Sequence, residues 1–189
     1  MNIGIMGGTF DPIHLGHLRA AELAREALDL ARVLFVLAGQ PPHRRAPAAS
    51  ALDRWAMVCL ATAPHAPFEA SDVEILRAGP SFAVDTIAAL RQQRPADSLV
   101  LIVGSDTLPE ISSWREPDRL LALCSIAVVA RPGWSETAIT STLRAQRVSG
   151  PGLEVSATAV RQLAAAGRSV RHLVPDGVAD HIVKRGLYR

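Results

Sequence analysis

The sequence has 189 residues, about the length of one domain, with a formal net charge of +2, 49% hydrophobic residues and 20% charged residues. These values are typical of a folded globular protein; they exclude a disordered or fibrous chain and do not support a nucleic-acid-binding surface. No apolar run approaches the ~20 residues that span a bilayer, and the chain begins directly with a strand candidate. We therefore expect no membrane segment and a cytoplasmic location.

Short apolar runs alternate along the chain with segments of helical spacing. Hydrophobic periodicity predicts strands at 2–6, 32–38, 68–75, 98–104, 125–131 and 153–155. Helices are predicted at about 15–30, 51–63, 82–94, 117–123, 156–166 and 175–185. Ser50, Ser81 and Ser156 stand at the expected N-caps, and Gly167 and Gly186 stand where helices should end.

Continuous apolar strands such as 98–104 indicate burial on both faces, and helices between strands favour right-handed parallel crossovers. The sequence therefore predicts an α/β fold: a doubly wound, mainly parallel Rossmann-like sheet of about six strands with helices on both faces. We expect residues 1–189 to form a single domain, with the helical segment from about 150 to 189 packed on it. Ligands of such sheets lie beyond the carboxyl ends of the strands. One site should be lined by the loops after Met6, Ala38, Ile75, Gly104 and Arg131.

The stretch GGTFDPIHLGH, residues 7–17, joins the first predicted strand to the first predicted helix. Its two glycines would let an anionic ligand approach the helix N-terminus, but a tight turn without a ligand explains them equally well. His14 and His17 favour the ligand, because residues three apart at a helix start place both rings on one face. Two imidazole donors beside unpaired backbone N–H groups are typical of a site that stabilises an oxyanion.

Other interpretations of this loop meet specific obstacles. The sequence lacks the H-E-x-x-H spacing of a zinc site. An ordinary structural role for the two histidines stays an alternative. A P-loop needs a lysine after its glycines, and the sole lysine is Lys184. A dinucleotide fingerprint needs G-x-G-x-x-G and an acidic residue after the second strand, which instead ends in residues 37–39, LAG. Any phosphate clamp must then be built from arginine or backbone amides.

GGTFDPIHLGH resembles the signature of nucleotidyltransferases that share an H-x-G-H element with class I aminoacyl-tRNA synthetases. Four further segments follow in order: GSDTLPEISSWREP (104–117), VVARPG (128–133), SATAVR (156–161) and LVPDGVADHIVKRGLYR (173–189). With them the chain resembles, from residue 2 to residue 189, the bacterial nicotinate mononucleotide adenylyltransferases. The H-x-G-H element by itself would also fit pantetheine-phosphate adenylyltransferase or a cytidylyltransferase.

The resemblance implies an enzyme of NAD biosynthesis that transfers AMP from ATP to nicotinate mononucleotide, giving nicotinate adenine dinucleotide and pyrophosphate. Mg²⁺ would be bound through the ATP phosphates, with no metal ligand from the protein. ATP and nicotinate mononucleotide are the implied partners, without nucleic acid or membrane, and a homo-oligomer stays open. The alternatives are a related transferase for another acceptor, such as pantetheine phosphate or nicotinamide mononucleotide, and a non-catalytic nucleotide-binding module.

The resemblance also implies roles for individual residues. The catalytic pair would be His14 and His17. The ATP-binding residues would be Gly7, Gly8, Thr9, Phe10, Gly104, Asp106, Ser156, Thr158 and Arg161. The mononucleotide-binding residues would be Arg44, Phe82, Ala83, Thr86, Trp114 and Arg131. Helix capping is the alternative role for Ser156 and Asp106, and packing beneath its loop is the alternative for Trp114.

Two positions depart from the family pattern. Arg44 stands where the family often has a lysine. Phe82 and Ala83 stand where an aromatic residue and a threonine are usual, so one hydroxyl is lost. We therefore expect backbone amides at the start of the third helix to contact the carboxylate of the acceptor.

Overall fold

A computed structural model describes residues 1–41, 46–130 and 145–189 of the chain. Its strands are Asn2–Gly8 (β1), Arg32–Leu37 (β2), Phe68–Ser71 (β3), Ser98–Gly104 (β4), Ser125–Val129 (β5) and Ala145–Val148 (β6). Its α-helices are Leu15–Ala27 (α1), Ala51–Thr62 (α2), Ala83–Gln93 (α3), Pro117–Leu123 (α4), Ala157–Ala165 (α5) and Asp176–Arg185 (α6). A 3-10 helix spans Leu108–Ser113. No helix in these ranges is both long and apolar enough to cross a membrane.

In the described part of the chain the six strands form one sheet in the order β3-β2-β1-β4-β5-β6, and every pairing is parallel. In chain order, β2 and β3 extend the sheet on one side of β1. The chain then crosses to the other side of β1, where β4, β5 and β6 follow. Such a reversal of strand order opens a crevice beyond the carboxyl ends of the central strands. This crevice lies between Gly8, at the end of β1, and Gly104, at the end of β4.

Both faces of the sheet are covered, as predicted. On β1, Ile3 and Ile5 pack into one core while Met6 packs into the other, because successive side chains of a strand point to opposite faces. Buried residues of α1, α2, α5 and α6 complete the core that contains Met6. Residues of α3, α4 and the 3-10 helix complete the other. Double-sided burial explains why the central strands are apolar throughout.

The last two helices pack on the first of these faces. Val160 of α5 and Val178 of α6 are fully buried in the same core as α1 and α2. A polar contact adds to this packing: Arg185 Nε donates to Asp53 Oδ1 of α2 at 3.0 Å, and His181 Nε2 lies 3.1 Å from the same oxygen. Helices α5 and α6 therefore pack on this face of the sheet.

The sixth predicted strand is wrong. Residues 153–155 are irregular, and the sixth strand is β6, eight residues earlier in the chain. Among the described residues β6 is an edge strand: it pairs with β5 alone and buries Val148 alone. Its sequence AQRV therefore has no apolar run for periodicity to detect. Leu153, which suggested the strand, is 50% exposed.

The cap of the third helix also differs from the prediction. Ser81 does not cap it, because Phe82 occupies the N-cap position. Ser81 instead pairs with Gln40: its Oγ accepts the Gln40 N–H at 3.1 Å, and its N–H donates to the Gln40 carbonyl at 2.9 Å. These bonds hold the loop after β2 against the start of α3. The caps at Ser50 and Ser156 are confirmed, since each hydroxyl accepts a first-turn N–H.

Candidate active site

The last residues of β1 and the loop that joins β1 to α1 lie at the crevice of the sheet. Gly7 is exposed and has open space where a side chain would project, so a ligand can reach its backbone. Gly8 has no such space, because a Cβ there would lie 2.8 Å from the Phe10 ring. Phe10 itself is 2% exposed. Phe10 can therefore contact a nucleotide only through its backbone. The sequence analysis likewise expects the backbone N–H groups of this loop to contact the ligand.

The two histidines of this loop form a stacked pair at the start of α1. Their ring centroids lie 3.6 Å apart and the ring planes differ by 23°. His14 is the N-cap residue and is buried, whereas His17 in the first turn is half-buried. The His14 backbone N–H donates to His17 Nδ1 at 3.2 Å. A neutral His17 must then carry its proton on Nε2, on the other side of the ring, where it is a donor.

Two neighbours set the placement of the histidine rings. The Phe10 ring meets His17 edge-on, with 5.1 Å between ring centroids. Gly16 lies between the histidines in sequence, and a Cβ there would come within 3.0 Å of His14 Nδ1 and 3.3 Å of the Leu153 carbonyl oxygen. These distances are tighter than most real Cβ contacts, so a side chain at Gly16 would displace the His14 ring by a few tenths of an ångström.

The start of α5 meets the same loop. Arg161 Nη1 donates to the Asp11 carbonyl oxygen at 2.7 Å, and Arg161 Nη2 donates to Thr158 Oγ1 at 3.2 Å. Ser156 caps the helix by accepting the Ala159 N–H at 3.1 Å. The structure therefore brings Ser156, Thr158 and Arg161 to the loop that carries the histidines. Because the N-terminus of a helix and a guanidinium both favour anions, this junction can bind phosphate.

The turn after β4 supplies the next side of the crevice. The Thr107 N–H donates to the Gly104 carbonyl at 3.0 Å, and the Ser105 N–H donates to the Val129 carbonyl at 3.0 Å. Asp106 projects from this turn and is exposed. It does not cap the 3-10 helix, whose N-cap is Thr107. The capping alternative is therefore wrong for Asp106.

Three of the residues predicted for the mononucleotide lie where α3 begins or beside it. Phe82 is the N-cap of α3, Ala83 is its first residue, and the Arg115 guanidinium lies 4.8 Å from the centroid of the Phe82 ring. Trp114, just before Arg115, is partly exposed and packs against the core on this face. The first turn of α3 and the loop with Trp114 are thus in contact, as a shared pocket requires.

Thr86 is placed differently from the others. It is 3% exposed, and its hydroxyl is 2.6 Å from Glu74 Oε1 and accepts from Arg77 Nη2 at 3.1 Å. Burial raises the pKa of Glu74, which favours a protonated carboxyl at this buried position. The Thr86 hydroxyl is thus hydrogen-bonded inside the protein. Thr86 would therefore affect a ligand only indirectly, by fixing the first turn of α3. Arg44 and Arg131 lie outside the described residues.

The sequence interpretation missed two residues that support the loop. Arg54 of α2 is 2% exposed, and its Nη1 donates to the carbonyl oxygens of Thr9 and Ala38, both at 2.8 Å. It thereby ties together the loops that follow β1 and β2. Asp11 is 6% exposed and lies inside the signature itself. The sequence did offer a signal for Asp11: an acidic residue in a loop expected to bind anions requires a structural role.

A known protein family and named relatives match most or all of this chain. The cytidylyltransferase-like family matches residues 5–163. A probable nicotinate-nucleotide adenylyltransferase of Thermus thermophilus is 43% identical over 189 residues, covering all of both chains. One of Acidithiobacillus ferrooxidans is 41% identical over 206 residues, covering 98% of this chain and 94% of the relative.

Solved structures agree on the fold. The nicotinic acid mononucleotide adenylyltransferase of Plasmodium falciparum complexed with NaAD superposes with a TM-score of 0.82 at 18% identity. The match covers 99% of this chain and 97% of the other. The family match covers most of the chain, and the two bacterial relatives span nearly all of it at above 40% identity. The chain therefore belongs to the cytidylyltransferase-like family and, within it, to the nicotinate-nucleotide adenylyltransferases.

Proposed function

We propose that the protein transfers AMP from ATP to nicotinate mononucleotide, producing nicotinate adenine dinucleotide and pyrophosphate. The observation that carries this proposal is the junction of the stacked histidine pair with Arg161, where imidazole, guanidinium and helix N-termini converge on one crevice. The relatives named as nicotinate-nucleotide adenylyltransferases support the choice of acceptor.

The chemistry needs no nucleophile from the protein. A phosphate oxygen of the mononucleotide attacks the α-phosphorus of ATP in line, while the bond from that phosphorus to the bridging oxygen breaks and pyrophosphate departs. Because phosphoryl-type transition states demand chiefly positioning and charge stabilisation, donors aimed at the phosphates carry the catalysis. His17 Nε2–H and His14 would stabilise the charge that develops on the α-phosphate and on the leaving pyrophosphate.

The other residues of the junction would hold the triphosphate. Backbone amides from Gly7 to Phe10 would orient the phosphates, and Ser156, Thr158 and Arg161 would bind the β- and γ-phosphates. Gly104 and Asp106 would contact the ribose, since their turn ends the strand next to β1. Each terminal nitrogen of Arg161 carries a second N–H beyond those that donate to the Asp11 carbonyl and to Thr158, and such a donor would bind a phosphate.

The chemistry of these donors bears on the metal. In residues 1–41, 46–130 and 145–189, no group of three His, Cys, Asp or Glu side chains could hold a metal ion. The donors at the junction are imidazoles, a guanidinium and amides, which bind anions. This set fits a Mg²⁺ ion that arrives with the ATP phosphates. When bound there, Mg²⁺ would neutralise phosphate charge, while the protein's own groups orient the triphosphate.

The acceptor would lie between the loop of Trp114 and the first turn of α3. The Trp114 indole would stack on the pyridine ring. The backbone N–H groups of the first turn of α3, beginning at Ala83, would donate to its carboxylate. Thr86 would hold this turn in place, and Arg44 and Arg131 would contact the acceptor phosphate.

The single domain and the cytoplasmic location are predictions from the sequence, which leaves a homo-oligomer open.

A substrate screen tests the proposal. The protein is supplied with Mg²⁺, ATP or CTP, and in turn nicotinate mononucleotide, nicotinamide mononucleotide and pantetheine phosphate; pyrophosphate is measured and the adduct identified. We expect turnover with ATP and nicotinate mononucleotide. Preference for CTP or for pantetheine phosphate would support a related transferase. Tight ATP binding without turnover on any acceptor would support a non-catalytic module.

A further inference from the structure

The next-to-last residue of the chain contacts the signature loop. The Tyr188 hydroxyl donates to Asp11 Oδ1 at 2.9 Å, although 177 positions separate the two residues. We propose that Tyr188 is a positioning residue for AMP transfer: by holding the Asp11 carboxylate, its hydroxyl keeps the histidine loop in register with the segment before α2 and with Arg161. This inference rests on the proposed function and adds a residue to it.

Asp11 is the point where these segments meet. Its Oδ2 accepts the Ala48 N–H at 2.7 Å, and its Oδ1 accepts the Ala49 N–H at 3.1 Å. Its backbone carbonyl accepts Arg161 Nη1 at 2.7 Å. One residue of the histidine loop thus joins the segment before α2, the start of α5 and the C-terminus. His14 follows three residues later, so a shift of Asp11 shifts the catalytic pair.

The Tyr188 hydroxyl also weakens the attraction of the Asp11 carboxylate for the Arg161 guanidinium. Arg161 Nη1 lies 4.0 Å from Asp11 Oδ2, a loose ion pair, while it bonds closely to the Asp11 carbonyl. A buried carboxylate that lacks donors attracts a neighbouring guanidinium. With Tyr188 and the two amides as donors, the carboxylate is satisfied, and Arg161 keeps the freedom to turn its second nitrogen to a phosphate.

Contacts of α6 and of the residues after it fix the position of this hydroxyl. The contacts of Asp53 with His181 and Arg185 tie α6 to α2, and α6 ends at Gly186 with φ 59°. Tyr188 has φ 65°, a left-handed conformation that a residue other than glycine keeps only when its contacts hold it. Burial and the Asp11 carboxylate both raise the pKa of Tyr188. Its hydroxyl therefore stays protonated and remains a donor.

Tyr188→Phe tests the proposal, because it removes the hydroxyl and keeps the ring. We expect kcat per folded molecule to fall about tenfold, since a charged hydrogen bond is lost and small misplacements cost large factors in rate. KM for both substrates should stay within about threefold of wild type. Folding is checked by circular dichroism at the assay temperature. The control is Arg189→Ala, which changes the exposed neighbour of Tyr188 and should keep the wild-type kcat.

A second variant identifies the partner of the hydroxyl. Asp11→Ala should lower kcat per folded molecule, and the double variant should resemble Asp11→Ala alone, because the bond that Tyr188→Phe removes is already absent. If Tyr188→Phe retains the wild-type kcat, or if its loss equals the loss of folded protein, the inference is overturned while the proposed function stands. If effects of the two variants multiply in the double variant, Tyr188 does not act through Asp11. If the wild type itself turns over no nicotinate mononucleotide, the proposed function fails and the inference fails with it.

Discussion

His14 and His17 stack with 3.6 Å between their ring centroids, and a bond from the His14 N–H to His17 Nδ1 orients the second ring. The two imidazoles therefore act as one unit at the positive end of α1. This arrangement suits phosphate charge better than a metal ion, because it leaves the proton of a neutral His17 on Nε2 as a donor.

Removing His17 should slow the reaction without unfolding the protein. We expect His17→Ala to lose about 3 to 4 kcal/mol of transition-state stabilisation, a thousandfold-scale effect on kcat. His14→Ala should lose somewhat less activity, and it should also cost some stability because His14 is buried. Steady-state kinetics at saturating ATP and Mg²⁺ and thermal melts measure both. Wild-type turnover in both variants would make the histidines structural.

The glycine between the histidines gives a matched pair of variants. Gly16 and Gly177 are each the second residue of a helix, α1 and α6. Gly16→Ala places a Cβ 3.0 Å from His14 Nδ1 and should lower kcat about tenfold by displacing the ring. Gly177→Ala meets only Leu60 at 3.5 Å and should raise stability by up to about 1 kcal/mol at unchanged kcat. Equal kcat in the two variants would contradict the role of Gly16.

Arg161 should serve ATP more than the acceptor. We expect Arg161→Ala to weaken ATP binding by about 1.5 to 3 kcal/mol, the contribution of a charged hydrogen bond, and to leave the affinity for the mononucleotide unchanged. Arg161→Lys is the control for charge and should recover part of the loss, since lysine lacks the second donor of the fork. Calorimetric titration measures both ligands. Equal weakening of the two, or of neither, would remove this assignment.

Acceptor choice should depend on the start of α3 and not on Trp114. Stacking of an indole on a pyridinium contributes ~1 to 2 kcal/mol and does not distinguish a carboxylate from an amide. Backbone N–H donors do distinguish them, so the wild type should strongly prefer nicotinate over nicotinamide mononucleotide. Trp114→Ala should lower kcat/KM for both about equally, whereas Trp114→Phe should retain part of it. Equal use of both acceptors by the wild type would refute the amide argument.

The contact between α2 and α6 should make stability depend on acid pH. Hydrogen bonds from Ser50 and then from Arg185 and His181 lower the pKa of Asp53 below its ordinary value. A carboxyl with a lowered folded-state pKa contributes stability above the unfolded pKa of about 3.9, and the contribution is lost as the pH falls through the folded value. Urea midpoints of wild type and Asp53→Asn should therefore differ near pH 7, and the difference should shrink as the pH falls below about 3.9. A constant difference would contradict this.

Local patterns in the sequence were sufficient for most of the fold. The buried strands are apolar runs, and the helices carry a 3.6-residue period, so β1, β2, β4 and β5 were found within a few residues of their ends. The pattern failed at β6, where an edge strand buries only Val148, and at Ser81, whose hydroxyl bonds to Gln40. In both cases the deciding contact comes from another segment of the chain.

The sequence by itself determined the reaction class, because the histidine loop is contiguous and its glycines and histidines leave a local signature. Tertiary structure alone decided which distant groups support that loop. Arg54, Arg161 and Tyr188 reach it from α2, α5 and the C-terminus, across 45, 150 and 177 positions. Their hydrogen bonds depend on how helices pack on the sheet. The apolar period shows which face of a helix packs, but it does not show which distant polar group that helix meets.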